Sequence, residues 1–313
     1  MIKELKLKAK ENGLIFQKDG DFTKIYSSIN FDLFRLLDRT DKIKINEDFS
    51  LSQKDTIKNL LMYLSLQENV EIIFSKHQLT INDKVFEIAN PLDPVLYNEV
   101  LNNGVFVDAD LVNKIGLSAS TDLNRYFMTG VFFDENGNIV ATDGRRLSLA
   151  KTDNVFGKTI VNPIAFSYFK GEVLMQWNEK MTKISQNDNV VYIYNIDGKF
   201  PNYSKVIPES YKTTGTVNLS LFKNEKLYKS KEGNKVNFNG DSVSSDLLGC
   251  EIGKVSNSFI KASFNGLFLK DIIKQHGEEV SVSVPELNSE GFINKACRFG
   301  DDNYFTIIMP LQM

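Results

Sequence analysis

Few residues in this chain are placed to do chemistry. The carboxylates Asp108, Asp110, Asp134 and Asp143 could together hold two magnesium ions and cut a phosphodiester. That makes a metal-dependent nuclease one reading, from the enzyme class. Acidic residues are equally common in turns, and no second carboxylate or histidine stands close to Asp143 in sequence. The cysteines, Cys250 and Cys297, make neither a disulfide framework nor a metal set and read as two small buried or half-buried thiols. No metal and no cofactor is therefore expected.

Three strings carry more. Ala141-Thr142-Asp143-Gly144-Arg145-Arg146-Leu147 follows the strand-like Ile139-Val140-Ala141. Asp-Gly is a hairpin signal because both residues tolerate positive φ, and by itself the string describes a surface turn with two solvated arginines. Gly198-Lys199-Phe200-Pro201-Asn202-Tyr203-Ser204-Lys205-Val206-Ile207-Pro208 reads as the end of a strand at Phe200-Pro201, where proline stops ladder pairing, followed by a connector over 202–209. Ile307-Ile308-Met309-Pro310-Leu311 places Met309 and Leu311 on one face of a final strand. Soft methionine suits a surface that accepts several partners; an ordinary core strand is the alternative.

The elements that must position these strings are mostly strands. Val70–Phe74, Val190–Tyr194 and Val280–Val284 alternate or cluster β-branched and aromatic residues, with turn signals at Asp19-Gly20, Glu135–Asn138 and Asn239-Gly240. Helices are expected over 55–66 (apolar at 57, 60, 61 and 64), 108–118, 162–170, 220–229 and 265–276, with Asp108 able to cap the second. Residues 29–41 fit strand or helix equally. Helices starting at 55, 162 and 265 are each followed by strand, turn, strand and a proline break at Asn90-Pro91, Phe200-Pro201 or Met309-Pro310. The starts lie 107 and 103 residues apart, which predicts three copies of one α+β unit.

Composition narrows the class. The length of 313 residues predicts two or three domains, and 42% apolar residues is ordinary for a globular chain. No run approaches the ~18 apolar residues of a membrane span, and the start, Met-Ile-Lys-Glu-Leu-Lys-Leu-Lys, has no apolar signal region. A cytoplasmic protein is expected. The net charge of −3 argues against a conventional repressor or nuclease that grips phosphates, but allows a protein with a basic inner and an acidic outer surface.

In this order and at these separations, the three strings resemble those of the bacterial replicative sliding clamps, the β subunits of DNA polymerase III. Arg125–Gly130 with Val131-Phe132-Phe133 looks like the family segment just upstream, read here as one aromatic-rich strand, and Phe264–Phe268 like the start of its last helix. The match is good over about 105–150 and 190–212, fair over the third unit and faint over the first 90 residues. The resemblance implies a DNA clamp fold, α+β, of three repeated domains at 1–92, 93–203 and 204–313, with antiparallel sheets outside and helices facing a central hole. It implies no catalytic residue. The function would be that of a processivity factor, tethering a polymerase to duplex DNA as a head-to-tail homodimer ring. Its partners would be duplex DNA, the polymerase and clamp-loader subunits through short peptides, and a second copy of itself.

The implied peptide pocket uses Met128, Thr142, Gly144, Arg145, Arg146 and Leu147, then Pro201, Lys205 and Val206, then Asn265, Phe268, Ile307, Met309, Pro310 and Leu311. A partner's leucine or phenylalanine would fill it, and one buried anchor worth ~1.5–3 kcal/mol makes micromolar binding of a five- or six-residue peptide reasonable. Arg146→Ala with Met309→Ala should remove that binding and leave the fold intact. The clamp geometry further implies DNA-facing lysines on the helices: Lys54 and Lys58, Lys114, Lys170, Lys223 and Lys226, Lys270 and Lys274, with Arg125 and Tyr126 at a loop edge. Solvated helix faces are the bland reading of the same lysines. Two rim positions depart from the family, which usually has histidine where Arg145 stands and often a basic residue at Gln312. The family also begins with a strand and a helix before the hairpins that start here near Leu5; no such helix is readable. A clamp-derived, non-ring peptide-binding adaptor is the second reading.

Overall fold

The computed structural model describes residues 7, 11, 13–29, 32–75, 78–82, 84–87, 101, 104–231, 234–256, 258–286, 293 and 295–311. The Asn90-Pro91 break, Pro94, Leu5 and Gln312 lie outside the described residues. The chain divides into two compact units, Met1–Val107 with Glu172–Asn195, and Asp108–Gly171 with Ile196–Met313.

In chain order the first unit contains β1 (Gly13–Asp19), β2 (Phe22–Ile29), β3 (Leu33–Thr40), β4 (Ile43–Ile45), β5 (Phe49–Leu51), α1 (Lys54–Ser65), β6 (Val70–Ser75), β7 (Gln78–Ile81), β8 (Lys84–Glu87) and β9 (Val105–Asp108). The second unit then supplies α2 (Ala109–Gly116), β10 (Val131–Phe133), β11 (Asn138–Thr142), β12 (Arg146–Lys151) and β13 (Thr159–Val161). The chain returns to the first for β14 (Glu172–Trp177), β15 (Met181–Gln186) and β16 (Asn189–Tyr194). The rest belongs to the second: β17 (Thr213–Asn218), β18 (Lys235–Asn239), β19 (Ser242–Ser245), β20 (Cys250–Lys254), β21 (Lys261–Asn265), α3 (Gly266–His276), β22 (Glu279–Val284), β23 (Cys297–Gly300) and β24 (Tyr304–Ile308).

Among the described residues, each unit holds one eight-stranded and one four-stranded sheet. The first has β5-β1-β2-β3-β16-β15-β14-β9 and β4-β6-β7-β8; the second has β13-β10-β11-β12-β24-β23-β22-β17 and β20-β19-β18-β21. Within the ambiguous stretch Leu33–Thr40 is a strand, which sends Phe34 and Leu37 into two different clusters on opposite sides of its sheet. α1 buries Ile57, Leu60, Leu61 and Leu64, the four positions of the expected stripe, against Leu14, Phe16, Ile72 and Leu79. At ~1.5–3 kcal/mol for each fully buried side chain, this stripe rather than intrinsic propensity holds a 12-residue helix. In the second unit, α3 sends Leu269 and Ile272 into a core with Phe222, Phe238, Phe264 and Phe299.

Two expected helices are shorter and tighter. Residues 162–170 form a six-residue 3₁₀ turn, Pro163–Tyr168, started by proline behind the capping Asn162 and ended in extended backbone at Phe169. Residues 220–229 form two 3₁₀ turns, Ser220–Lys223 and Glu225–Leu227, because Asn224 leaves the helical region and its side chain caps Lys226. The aromatic run from Arg125 is a strand only at Val131–Phe133; Leu123–Met128 is a 3₁₀ segment broken at Arg125 (φ −116°, ψ 49°).

The strand pairing repeats. α1, the Pro163 turn and α3 are each followed by three consecutive antiparallel strands, β6-β7-β8, β14-β15-β16 and β22-β23-β24. The last of these pairs with β3 in one sheet (β16) and with β12 in the other (β24). β8 and β20, which hold the corresponding places in the four-stranded sheets, are edge strands.

Candidate functional site

The string at 141–147 folds as a turn with its hydrogen bonds saturated locally. Asp143 Oδ1 accepts from the N–H of Arg145 (2.8 Å) and of Arg146 (3.0 Å), and Thr142 Oγ1 accepts from Gly144 N–H (3.1 Å) while donating to Arg146 O (2.7 Å). Gly144 sits at φ +88°, a conformation that favours glycine, and a Cβ there would stand 3.0 Å from the movable Arg125 guanidinium.

The connector supplies a second wall. Phe200 stacks on Phe132 at 4.8 Å, and Tyr203–Val206 makes one 3₁₀ turn. Phe200-Pro201 lies past the end of β16 at Tyr194 instead of closing a strand. Tyr203 donates its hydroxyl to Asp134 Oδ2, whose other oxygen takes the N–H groups of Asn136 and Asn138, both at 2.9 Å; Asn138 Nδ2 donates to the Tyr203 oxygen at 3.0 Å. Asp134 is 4% exposed. Burial alone would raise its carboxyl, but these hydrogen bonds outweigh it and hold the pKa below the ordinary value, while burial and the carboxylate push the Tyr203 phenol up.

The C-terminal string gives the third wall. β12 and β24 pair antiparallel with Leu147 opposite Ile307. β24 ends at Ile308, one residue before the expected face begins. Met309 donates its N–H to Arg145 O (3.0 Å) and Leu311 bridges Ser263, leaving Met309 45% exposed.

These walls enclose a cavity of about 310 Å³ lined by Arg125, Met128, Thr142, Gly144, Arg145, Arg146, Leu147, Pro201, Asn202, Tyr203, Val206, Ile307 and Met309. Ten of the expected residues lie on it. Lys205 is exposed on the connector turn, Asn265 caps α3 by accepting from Leu267 N–H, and Phe268 lies behind Arg146; Pro310 and Leu311 follow the wall without lining it. Three lining residues were not assigned to the pocket from sequence: Arg125, expected at DNA, Asn202 and Tyr203. Tyr203 stands inside the connector string, and an aromatic two residues after Pro201 is the available signal.

Arg146 requires a correction. Its guanidinium pairs with Asp143 (3.1 Å) and Asp271 (2.8 Å), donates to Leu117 O (2.6 Å) and lies 4.3 Å over the Phe268 ring, with its side chain only 10% exposed. Arg146→Ala would therefore take the guanidinium from Asp143, which keeps two backbone N–H groups, from Asp271, which keeps Lys274, and from Leu117 O, so it is expected to destabilise the fold as well as the pocket. Behind it, Gln275, Ser118, Ser148, Thr306 and His276 form a buried network linking α2, β12, α3 and β24, with contacts of 2.6–3.1 Å.

The lysines are exposed or half-exposed on their elements, with different commitments. Lys54 and Lys58 on α1 and Lys226 carry no ion pair among the described residues. Lys170 pairs with Asp110 (2.9 Å), Lys223 with Glu278, Lys270 with Glu225, and Lys274 with Asp271 (2.9 Å). Lys114 is exposed on α2 and its carbonyl accepts from Gln275. Arg125 pairs with Asp122, and Tyr126 is 49% exposed and packs edge-on against Phe127.

The four carboxylates of the nuclease reading are separately engaged: Asp108 caps α2, Asp110 holds Lys170 and the Gly171 N–H, Asp134 holds Tyr203, and Asp143 holds its turn. Among the described residues, no three His, Cys, Asp or Glu side chains cluster as a metal site. Cys297 is buried, its thiol pushed up to about 12 by burial, and Cys250 is exposed on β20. No described helix is long and apolar enough to cross a membrane.

No family model matches the chain. In sequence it is similar to curated β sliding clamps. That of Borreliella burgdorferi is 28% identical over 126 residues, 36% of this chain and 33% of the relative. That of Vibrio cholerae is 24% identical over 236 residues, 65% and 63%. The matched part thus spans between about a third and two thirds of the length of these curated relatives. In structure it is similar to the DNA polymerase III subunit β sliding clamp of Bartonella birtlesii, solved bound to griselimycin, with a TM-score of 0.68 and 15% identity over 96% of this chain and 92% of that one. The chain has the DNA clamp fold, α+β, and resembles the bacterial β sliding clamps in sequence.

Proposed function

We propose that this chain is a DNA sliding clamp that confers processivity on a replicative DNA polymerase by encircling duplex DNA and docking partner peptides in the cavity at Leu147 and Ile307. Two copies close the ring head to tail, and each copy carries three repeats, 1–92, 93–203 and 204–313. No residue does covalent chemistry in this reading. The protein acts in the cytoplasm with polymerase and loader subunits as partners. Retention is topological, so sequence-independent contacts from Lys54, Lys58, Lys114, Lys170, Lys223, Lys226, Lys270 and Lys274, with Arg125 and Tyr126, are enough on the DNA side. Exposed lysine–carboxylate pairs are worth only ~0–1 kcal/mol, so those lysines exchange partners with phosphates easily.

The observation that carries this reading is the pair of unfinished sheets. β3 and β12 each join a last strand, β16 and β24, but among the described residues β20 and β8, the remaining members of that series, have no partner strand on their outer sides. Unpaired edges invite another chain. Leu247 and Leu248 beside β20 are 43% and 50% exposed, and Val85 on β8 is 59% exposed. A second copy joining β20 to β8 would complete a third eight-stranded sheet and cover those side chains.

Light scattering over a hundredfold concentration range tests this. A mass near twice 35.5 kDa, lost in the Leu247→Ala, Leu248→Ala variant, is the expected result. A mass of 35.5 kDa throughout would sink the ring and leave a peptide-binding adaptor.

A further inference from the structure

We infer that Asp271 couples the cavity to the DNA side of the protein. Arg146 and Lys274 share this one carboxylate, so phosphate held by Lys274 tightens peptide docking, and a docked peptide frees Lys274 for phosphate. This rests on the function proposed above and adds a regulation to it.

The link is a chain of three side chains. Arg146 lines the cavity and donates from Nη1 to Asp271 Oδ2 at 2.8 Å. Lys274, three residues further along α3, donates to the other oxygen, Oδ1, at 2.9 Å. Exposure rises along the chain, with side chains 10%, 19% and 49% exposed for Arg146, Asp271 and Lys274. Lys274 therefore stands in water and exchanges its partner readily. Arg146 is enclosed, with Asp143 as its second carboxylate and the Phe268 ring beneath it. Lys270, on the same helix, pairs with Glu225 instead and has no part in this chain.

The same end of α3 also grips the back of the cavity floor. Gln275 Nε2 donates to Ser148 Oγ and to Lys114 O, both at 2.9 Å, and His276 Nε2 lies 3.1 Å from Thr306 Oγ1. Ser148 and Thr306 are the chain neighbours of the floor residues Leu147 and Ile307, and point to the opposite face of their sheet. The end of α3 is thus fixed to the floor by Gln275 and His276 and to the wall by Asp271.

Without phosphate, the charge of Asp271 is divided between two cations. A phosphate that draws the Lys274 ammonium away leaves the carboxylate to Arg146. The guanidinium is then held more firmly in the wall, and less of its freedom remains to be lost when a peptide docks. Linkage makes the effect reciprocal. A peptide that shields Arg146 from water strengthens its pair with Asp271 and weakens the hold on Lys274. Partners would accordingly dock in preference on copies that already hold DNA.

The test follows the anisotropy of a fluorescein-labelled hexapeptide with leucine and phenylalanine anchors, titrated with the full-length protein at low salt. Lys274→Gln alters no residue that lines the cavity. It should bind the peptide about two- to fivefold tighter than the unaltered chain, because Asp271 is left to Arg146. A short DNA duplex at saturating concentration should give the unaltered chain the same gain and add nothing to Lys274→Gln. Lys229→Gln removes a comparably exposed lysine that pairs with Glu225, and should behave as the unaltered chain does. Equal peptide affinity in the unaltered chain and Lys274→Gln overturns the inference and leaves the docking role standing. So does a duplex gain that survives in Lys274→Gln, or a duplex that binds, by its own label, without changing peptide affinity. A duplex that does not bind overturns the DNA-side reading and the inference together, and a peptide that binds neither protein overturns the docking role and the inference together.

Discussion

The same strand junction occurs twice, and its two copies differ in what covers one face. In the first unit β3 meets β16 with Phe34 opposite Tyr192; in the second β12 meets β24 with Leu147 opposite Ile307. On the face away from α1, the first junction is sealed by rings. Tyr26 meets Tyr192 edge-on at 5.9 Å, Phe34 meets Tyr194 at 6.1 Å, and Ile15, Leu36 and Met181 fill the remainder. On the corresponding face of the second, branched aliphatic side chains stop short, and the connector wall leaves about 310 Å³ open. Equivalent backbones therefore give a sealed core in one place and a docking cavity in the other. The two junctions differ in side-chain volume at the facing positions and in the connector that walls the second. Each junction also carries one arginine held by carboxylate, Arg35 on Glu11 at 2.7 Å and Arg146 on Asp143 and Asp271.

The largest effects should come from those arginines. Arg146→Ala should cost about 3 kcal/mol in urea unfolding, because it leaves Asp143 without its cation and Asp271 with Lys274 alone. Arg35→Ala should cost a similar amount, since Glu11 is fully buried. A loss below 1 kcal/mol at either site would break the parallel between the junctions.

Acid should distinguish the two next. His276, against Tyr304 and Thr306 with Asp301 and Lys114 nearby, has its pKa lowered to about 4, chiefly by burial. The folded state thus favours the neutral ring, and its contribution is complete above the unfolded value near 6.5. It is lost as pH falls from there to about 4, by up to about 3 kcal/mol. His276→Gln should flatten that slope; an unchanged slope would place the acid sensitivity elsewhere.

Tyr203→Phe should cost about 1–3 kcal/mol by leaving buried Asp134 without its phenol donor, and should weaken hexapeptide binding by loosening the connector wall. Phe34→Leu should cost about 1–2 kcal/mol by opening in the first junction the gap the second already has. Met309→Ala sharpens the contrast most simply. Stability should move by less than about 0.5 kcal/mol, since the side chain is 45% exposed, while binding of a hexapeptide with a leucine or phenylalanine anchor falls about tenfold. Unchanged affinity would remove Met309 from the binding surface.

Much of this fold is legible along the chain. The stripe at 57, 60, 61 and 64, the Asp19-Gly20, Asn136-Gly137 and Asn239-Gly240 turns and the β-branched runs are local signals, each written within a few residues. Asn162–Lys170 and Ser220–Lys229 were less legible, since proline and asparagine favour the starts of short turns as readily as the starts of helices. In the cavity, the residues of the three strings could be named in advance. Which of them face it could not, because Arg146 is held by Asp271, 125 residues away, and lies over Phe268.

By itself the sequence determined most strands, the helices at 55–66, 108–118 and 265–276 and the three strings, because hydrophobic period, turn chemistry and capping act over a handful of neighbours. The tertiary structure decided which strand edges are filled within one chain and which are left over at β8 and β20. It decided that Arg146 holds the turn while Arg145 keeps its charge at the rim. It also decided that Tyr203 is pinned as a wall by Asp134, 69 residues earlier. Those outcomes depend on contacts between distant segments, whose free energies exist only once the chain has brought them together.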